Sequence, residues 1–472
     1  MRADRTLLGL VLLCLAAPGA LAAQTAQVPP PLNPGVPAHG VIGMEDPRRL
    51  TAEFWIDQAG DAERVVMSPE AIDAQNRKLF RLDPTMNDLA ALPESLDRKQ
   101  VLHDIDKLST RPNSPLYDVE GRPVPTATID ALVQALDRAA LAERTPLRYG
   151  LVLRRTALRS FPTSLRVFST AGETDIDRFQ ESALFPGTPV AIVHRSADQE
   201  WLWVVSPRYR AWVAAADIVE GDRQAVLGYA ARSPHRVITG AKVSTVFTRE
   251  QPALSELQLD MGVRVPLAGV AADALVNGQH SYASWAVELP VRGPSGSLLL
   301  APALIQKNHD TSDAHLSLTR ANLIRQAFKF LGERYGWGHS YNGRDCSGFV
   351  SEVYRSMGVE LPRNTRDQAF SPALEHVRFD GNASAAARRK AVDKLEVGDL
   401  IYIPGHVMMM IGRDGGVPYV IHDTNGGSYL GADGKLRSMQ LNSVSVTPLL
   451  PLRFSREHSY VDRITSIVRI RP

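Results

Sequence analysis

Apolar positions along the chain change their period twice. Over residues 49–146 they recur at helical spacing. "SPEAIDAQNRKLF" opens with Ser68 as an N-cap and Pro69 at the first helical position. "TATIDALVQALDRAALAER" sets Ile129, Leu132, Val133, Leu136 and Ala140 on one face before Pro146, which predicts one long helix. The stretch reads as a small helical N-terminal domain. After Pro146 the period shortens to two. "YGLVLRRTALRSFPT", "TPVAIVHRS", "EWLWVVSP" and "YRAWVAAADIV" are short β-type runs divided by Gly, Pro, Asp and Ser, which predicts a small barrel over 147–228. A second set, from "HRVITGAKVSTVFT" to "GSLLLAP", predicts another over 229–305. From 306 to 472 the pattern is mixed α and β. "TRANLIRQAFKFLGERYG" is an amphipathic helix capped by Thr319, and "CSGFVSEVYRSMG" is a second, ending at Gly358. An Ala/Arg stretch near 380–394 reads as a loop or surface helix. "GDLIYIPG", "HVMMMIGRDGG", "PYVIHDT" and "RITSIVRIRP" read as strands.

The N-terminus carries a different pattern. A basic start, the apolar run "TLLGLVLLCLAAPGA" and the small residues of "ALAAQ" predict a secretory signal peptide over 1–23. Residues 24–48 are Pro-rich and read as a linker. No later segment is long and apolar enough to span a membrane. The chain has 53 basic and 51 acidic side chains, a net charge of +2, which argues against a nucleic-acid binder.

Of the two cysteines, Cys14 lies in the predicted signal peptide, so export would leave Cys346 alone. A lone thiol is a reactive group, an intermolecular bridge or a buried hydrophobe. Cys346 falls in the first turn of a predicted helix, where backbone N–H groups and the dipole favour an anion, so a depressed thiol pKa is expected. Asp345, Ser347 and Gly348 are poor company for a core position. A thiol nucleophile needs a base and an orienting group. His406 starts one strand and His422 lies in the next, placed so that both imidazoles share a sheet face; two structural histidines would give the same pattern. His339, in the loop "GWGHSYNG", reads as a surface or loop residue. His309, His315, His376 and His458 read as solvated. No HExxH or CxxC spacing is present, so no metal site is expected.

Three ordered motifs, "YGWGHSYNGRDCSGFVSEVYRSMGVELPRNTRDQA", "LEVGDLIYIPGHVMMMIG" and "YVIHDT", resemble the NlpC/P60 cysteine peptidases over roughly 317–472. The resemblance implies a C-terminal α+β papain-like fold with Cys346 as nucleophile, His406 as general base and His422 as its orienter. It implies Tyr335 at the oxyanion site, Asp345, Ser347 and Thr365 beside the substrate, and no cofactor. "WGHS" stands where a glycine pair is more usual. The order of parts resembles a multidomain subgroup with an N-terminal helical stabilising domain (49–146), two bacterial SH3-like (SH3b) barrels and the peptidase domain (306–472). In that subgroup a carboxylate and a tyrosine of the first barrel would meet the amino group of a short stem peptide; Glu181 and Tyr209 are the candidates. The implied activity is cleavage of the γ-D-glutamyl–diamino acid bond of peptidoglycan stem peptides, in the periplasm or cell envelope. The alternatives are a peptidoglycan-binding protein with an inactive peptidase domain, and an amidase or acyltransferase on the same fold.

Overall fold

The computed structural model describes residues 39–471. The predicted signal peptide and most of the linker lie outside those residues.

Four helices come first: α1 (Ala52–Gln58), α2 (Pro69–Leu82), α3 (Arg98–Leu108) and α4 (Thr126–Ala135). Ser68 caps α2 by accepting from the Ala71 N–H, as the sequence predicts. Helix α4 is shorter than predicted. It stops at Ala135 because Asp137 takes a left-handed backbone (φ 46°), and residues Arg138–Ala140 form a 3-10 turn. These helices share no core of their own. Trp55 of α1 and Ile72 and Leu79 of α2 join a cluster that contains Cys346. Val101 and Ile105 of α3 and Ile129 and Leu132 of α4 pack instead with Trp203 and Trp212. Helices this short bear one apolar stripe each, and each stripe is buried against the nearest sheet. The segment is thus divided between two neighbours.

The first β unit is a seven-stranded antiparallel sheet of β1 (Arg148–Val152), β2 (Thr156–Arg159), β3 (Gln180–Leu184), β4 (Pro189–Arg195), β5 (Trp201–Ser206), β6 (Tyr209–Ala214) and β7 (Ile218–Gly221), in the order β7-β1-β4-β5-β6-β2-β3. Edge strand β3 faces the C-terminal unit. The second β unit is made of smaller ladders around Ile238, Leu259, Val265, Val287, Leu289 and Ile305. It extends past the predicted limit at 305, because Thr311–Ser312 pairs with Val237 and Ile238.

The C-terminal unit is a six-stranded antiparallel sheet: β8 (Glu375–Arg378), β9 (Leu400–Ile403), β10 (His406–Asp414), β11 (Val417–Leu430), β12 (Leu436–Pro448) and β13 (Ser466–Arg469), ordered β8-β13-β9-β10-β11-β12. Its helices are α5 (Arg320–Phe328), capped by Thr319 as predicted, α6 (Cys346–Arg355), α7 (Thr365–Phe370) and α8 (Ala385–Val392), which resolves the Ala/Arg stretch as a helix. Helix α6 packs on the sheet face of Val407, Met409, Ile411 and Ile421 through Phe349, Val350 and Val353. Met408, Met410 and Val420 build the other face. Among the described residues, no helix is long and apolar enough to cross a membrane.

Candidate active site

Cys346 opens α6 and is 5% exposed. Asp345 is the N-cap and accepts the Gly348 N–H at 2.8 Å. The sulfur lies near the backbone N–H of Val407, at the start of β10. Burial pushes the thiol up to about 12, and the negative charge of Asp345 adds to this. The sequence predicts a depressed value from the helix N-terminus; here loss of solvation outweighs the dipole. The resting group is therefore a thiol. Alkylation by iodoacetamide should speed up about tenfold per unit from roughly pH 7 to pH 10, with no plateau, because only the thiolate reacts. A plateau near neutral pH would show a preformed thiolate.

The two predicted histidines meet. His406 Nε2 and His422 Nδ1 are 2.8 Å apart, bridging the paired strands β10 and β11. His422 Nε2 in turn lies 3.0 Å from Thr447 Oγ1 on β12. Burial lowers the His406 pKa to about 4, and burial, with His406 next, holds that of His422 well below the usual imidazole range. Tyr335 is buried and donates its backbone N–H to the Asn442 carbonyl at 3.0 Å. Burial, Cys346 and Asp345 all raise its hydroxyl pKa, which keeps it a donor.

Behind the thiol runs a buried charge network. Arg363 donates to Asp345 Oδ2 at 2.7 Å, to Ser347 Oγ at 2.9 Å and to His339 Nδ1 at 3.0 Å. Burial opposes ionisation of Asp345, but Arg363 and then His339 hold its carboxyl down to about 2. Asp345 and Ser347 are thus committed to this network. Thr365 begins α7, half-buried. The surface role expected of His339 is not what the structure has. His339 is 6% exposed and lies 3.0 Å from Glu352 Oε1, and burial and Arg363 lower its pKa to about 4. Its Gly-rich surroundings look like a solvent loop in sequence, but they fold under β3.

Strand β3 forms one wall of the site. Gln180 Nε2 donates to the Gly338 carbonyl at 2.7 Å, and Trp337 Nε1 donates to the Gln180 carbonyl at 3.0 Å. Arg363 Nε donates to Ser182 Oγ at 2.6 Å. Between Gln180 and Ser182 on that strand, Glu181 accepts from the Tyr209 hydroxyl at 2.5 Å, so the two candidates from the barrel stand together. Burial raises the Glu181 pKa against the pull of that hydrogen bond. Arg363, Thr447 and Gln180 are missed by the sequence reading. The position of Arg363 in "LPRNT", two residues before Thr365, is the one local signal.

A thiol at the start of a helix thus stands over a sheet that carries two hydrogen-bonded histidines. Residues 332–444 match the model of the NlpC/P60 family, and residues 166–214 match that of an SH3 domain of the SH3b1 type. The chain carries an NlpC/P60 domain at its C-terminal end and an SH3b domain ahead of it. Dipeptidyl-peptidase 6 of Lysinibacillus sphaericus is 30% identical over 95 residues, 20% of this chain and 30% of that protein. The probable endopeptidase p60 of Listeria welshimeri is 32% identical over 130 residues, 24% of this chain and 22% of that protein. The chain thus spans less than a third of either relative. The structure of an NlpC/P60 endopeptidase from Photobacterium damselae subsp. piscicida superposes with a TM-score of 0.71 at 16% identity, covering 88% of this chain and 96% of that one. At that identity the likeness is one of fold.

Proposed function

We propose that this protein is an exported cell-wall hydrolase, a cysteine endopeptidase that cuts the γ-D-glutamyl–diamino acid bond of peptidoglycan stem peptides in the periplasm or cell envelope. The hydrogen-bonded line Thr447–His422–His406 beside the Cys346 helix carries the reading. His406 Nε2 is taken by His422, which leaves Nδ1 for the thiol proton. As Sγ attacks the γ-carbonyl carbon, that proton passes to Nδ1. The imidazolium then donates through Nε2 to His422 Nδ1, and His422 donates through Nε2 to Thr447. The Cys346 backbone N–H and the Tyr335 hydroxyl stabilise the oxyanion. His406 returns the proton to the leaving amine, and water, deprotonated by the same imidazole, releases the thioester. Asp345 and Ser347 hold the nucleophile's turn through Arg363, and Thr365 borders the substrate. We further propose the second β unit as a divergent SH3b barrel and residues 49–146 as a helical stabilising segment.

Glu181 and Tyr209 support a preference for short peptides with a free N-terminus. Burial disfavours the Glu181 charge, and an incoming ammonium restores it. The test is a defined L-Ala-γ-D-Glu-diaminopimelate peptide, free or N-acetylated, followed by mass spectrometry. Acetylation should lower kcat/KM roughly 10- to 100-fold, the worth of a charged hydrogen bond. Equal cleavage of the two peptides would remove the role of Glu181 and Tyr209. Cell-wall binding with no cleavage of either would overturn the endopeptidase reading.

A further inference from the structure

A cavity of about 320 Å³ lies where the four parts of the chain meet. Helix α2 contributes Asp73, the first β unit Arg208, the second Arg264, and the C-terminal unit Arg355, Glu360 and Arg363. Neither Cys346 nor either paired histidine lines it. Its charge is unbalanced. Arg363 is matched by Asp345, but among the described residues Asp73 and Glu360 form no ion pair with the other arginines. Arg208 Nη1, Arg264 Nε and Arg355 Nε are buried and have no hydrogen-bond acceptor, although Nη2 of Arg264 lies 3.0 Å from His235 Nδ1 and donates to the Arg232 carbonyl, and Nη2 of Arg355 donates to the Met261 carbonyl. Buried donors are almost always paired, so three unpaired guanidinium nitrogens around one cavity are a strong departure.

We propose that this cavity binds a small oxyanion, a phosphate or a carboxylate, through Arg208, Arg264 and Arg355. The planar fork of arginine matches the oxygen spacing of both groups. The backbone is arranged to admit the guanidinium groups. Arg208 stands in the two-residue turn between β5 and β6. Gly262 has φ +80°, and a Cβ there would lie 2.7 Å from Arg355 Nε, so a side chain would displace the guanidinium. Burial, with Arg355 next, holds the Arg208 pKa down to about 10, as expected of a cation that lacks its counter-charge. The cleavage step proposed above does not depend on this inference, although Tyr209 and Arg363 line the cavity as well.

Titration calorimetry of the full chain in a buffer free of both anions tests it, with inorganic phosphate and citrate as probes. The wild type should bind at least one of them at a single site, and Arg208→Met should weaken that binding tenfold or more. Arg208 is the informative position, because Arg355 also holds the Met261 carbonyl and its loss would disturb the fold. Thermal melts supply a second readout. Without anion, Arg208→Met should melt no lower than wild type, since it removes a half-buried cation that has no partner; with anion, only the wild type should gain. Arg208→Gln repeats the test should the methionine variant not fold. Binding of phosphate alone assigns a phosphate ligand, and binding of citrate alone a carboxylate one. No binding of either, or equal binding by wild type and variants, overturns the proposal.

Discussion

Cys346→Ala is expected to lower turnover of the γ-D-glutamyl–diaminopimelate peptide by about 10⁴- to 10⁶-fold, the range for loss of a nucleophile in a triad enzyme. The fold should survive. The substitution removes one sulfur from a cluster held by Phe349, Val350, Val353 and the β10 side chains, and it leaves the Asp345 cap on Gly348 intact. His406→Ala should cost nearly as much, and the double variant little more than either alone, because the two groups act in one proton transfer. His422→Ala should cost less, about 10- to 100-fold, since an orienting partner acts only through the group it holds. Product release followed by mass spectrometry checks all three. Cleavage by Cys346→Ala within tenfold of wild type would sink the assignment. Equal losses for His406→Ala and His422→Ala would mean that the two imidazoles do not divide the work as proposed.

The residues proposed to carry this chemistry are legible because each has a local signature. Cys346 starts a capped amphipathic helix, His406 follows a turn glycine, and His422 stands in a short apolar run. Local signatures failed in two ways. The hairpin β11–β12 runs from Val417 to Pro448, far beyond "PYVIHDT", because its glycines and serines look like loop until the strands pair. Thr447, which supports His422, sits on the part of that hairpin that the sequence reading missed. The buried ion network failed differently. Arg363 is buried against Ser182 of the first β unit and Arg344 against Asp260 of the second, while His339 and Arg344 meet Glu352 within one segment only once α6 has formed. Charged residues read as solvated unless the partner is visible. The helical segment was recognised as helical, but its division between two cores depends on which sheet lies nearest, and no helical period records that.

Asp260→Ala is expected to destabilise the protein by about 3–5 kcal/mol, the usual cost of stripping one partner from a buried ion pair. Asp260 belongs to the second β unit and is fully buried. Its Oδ1 accepts from Arg344 at 2.9 Å and from Arg155 at 2.9 Å. Arg344 lies two residues before Cys346, and Arg155 lies between β1 and β2, so one carboxylate oxygen ties three units together. Arg155 also donates to the carbonyls of His339 and Gly343, the two shoulders of the loop that enters α6. Burial pushes the Asp260 carboxyl up while both arginines oppose it. The pair is therefore worth little net, and its loss is costly because Arg155 loses its carboxylate partner and Arg344 keeps only Glu333 and Glu352. Asp260→Asn keeps the volume and an acceptor, so it should cost less than half as much. Thermal melts measure the stability, and peptide cleavage below the melting range measures the loop. A fall in both for Asp260→Ala would mean that the β units set the geometry of the nucleophile. A fall in stability alone would mean that Arg363 and Asp345 suffice to hold Cys346 in place.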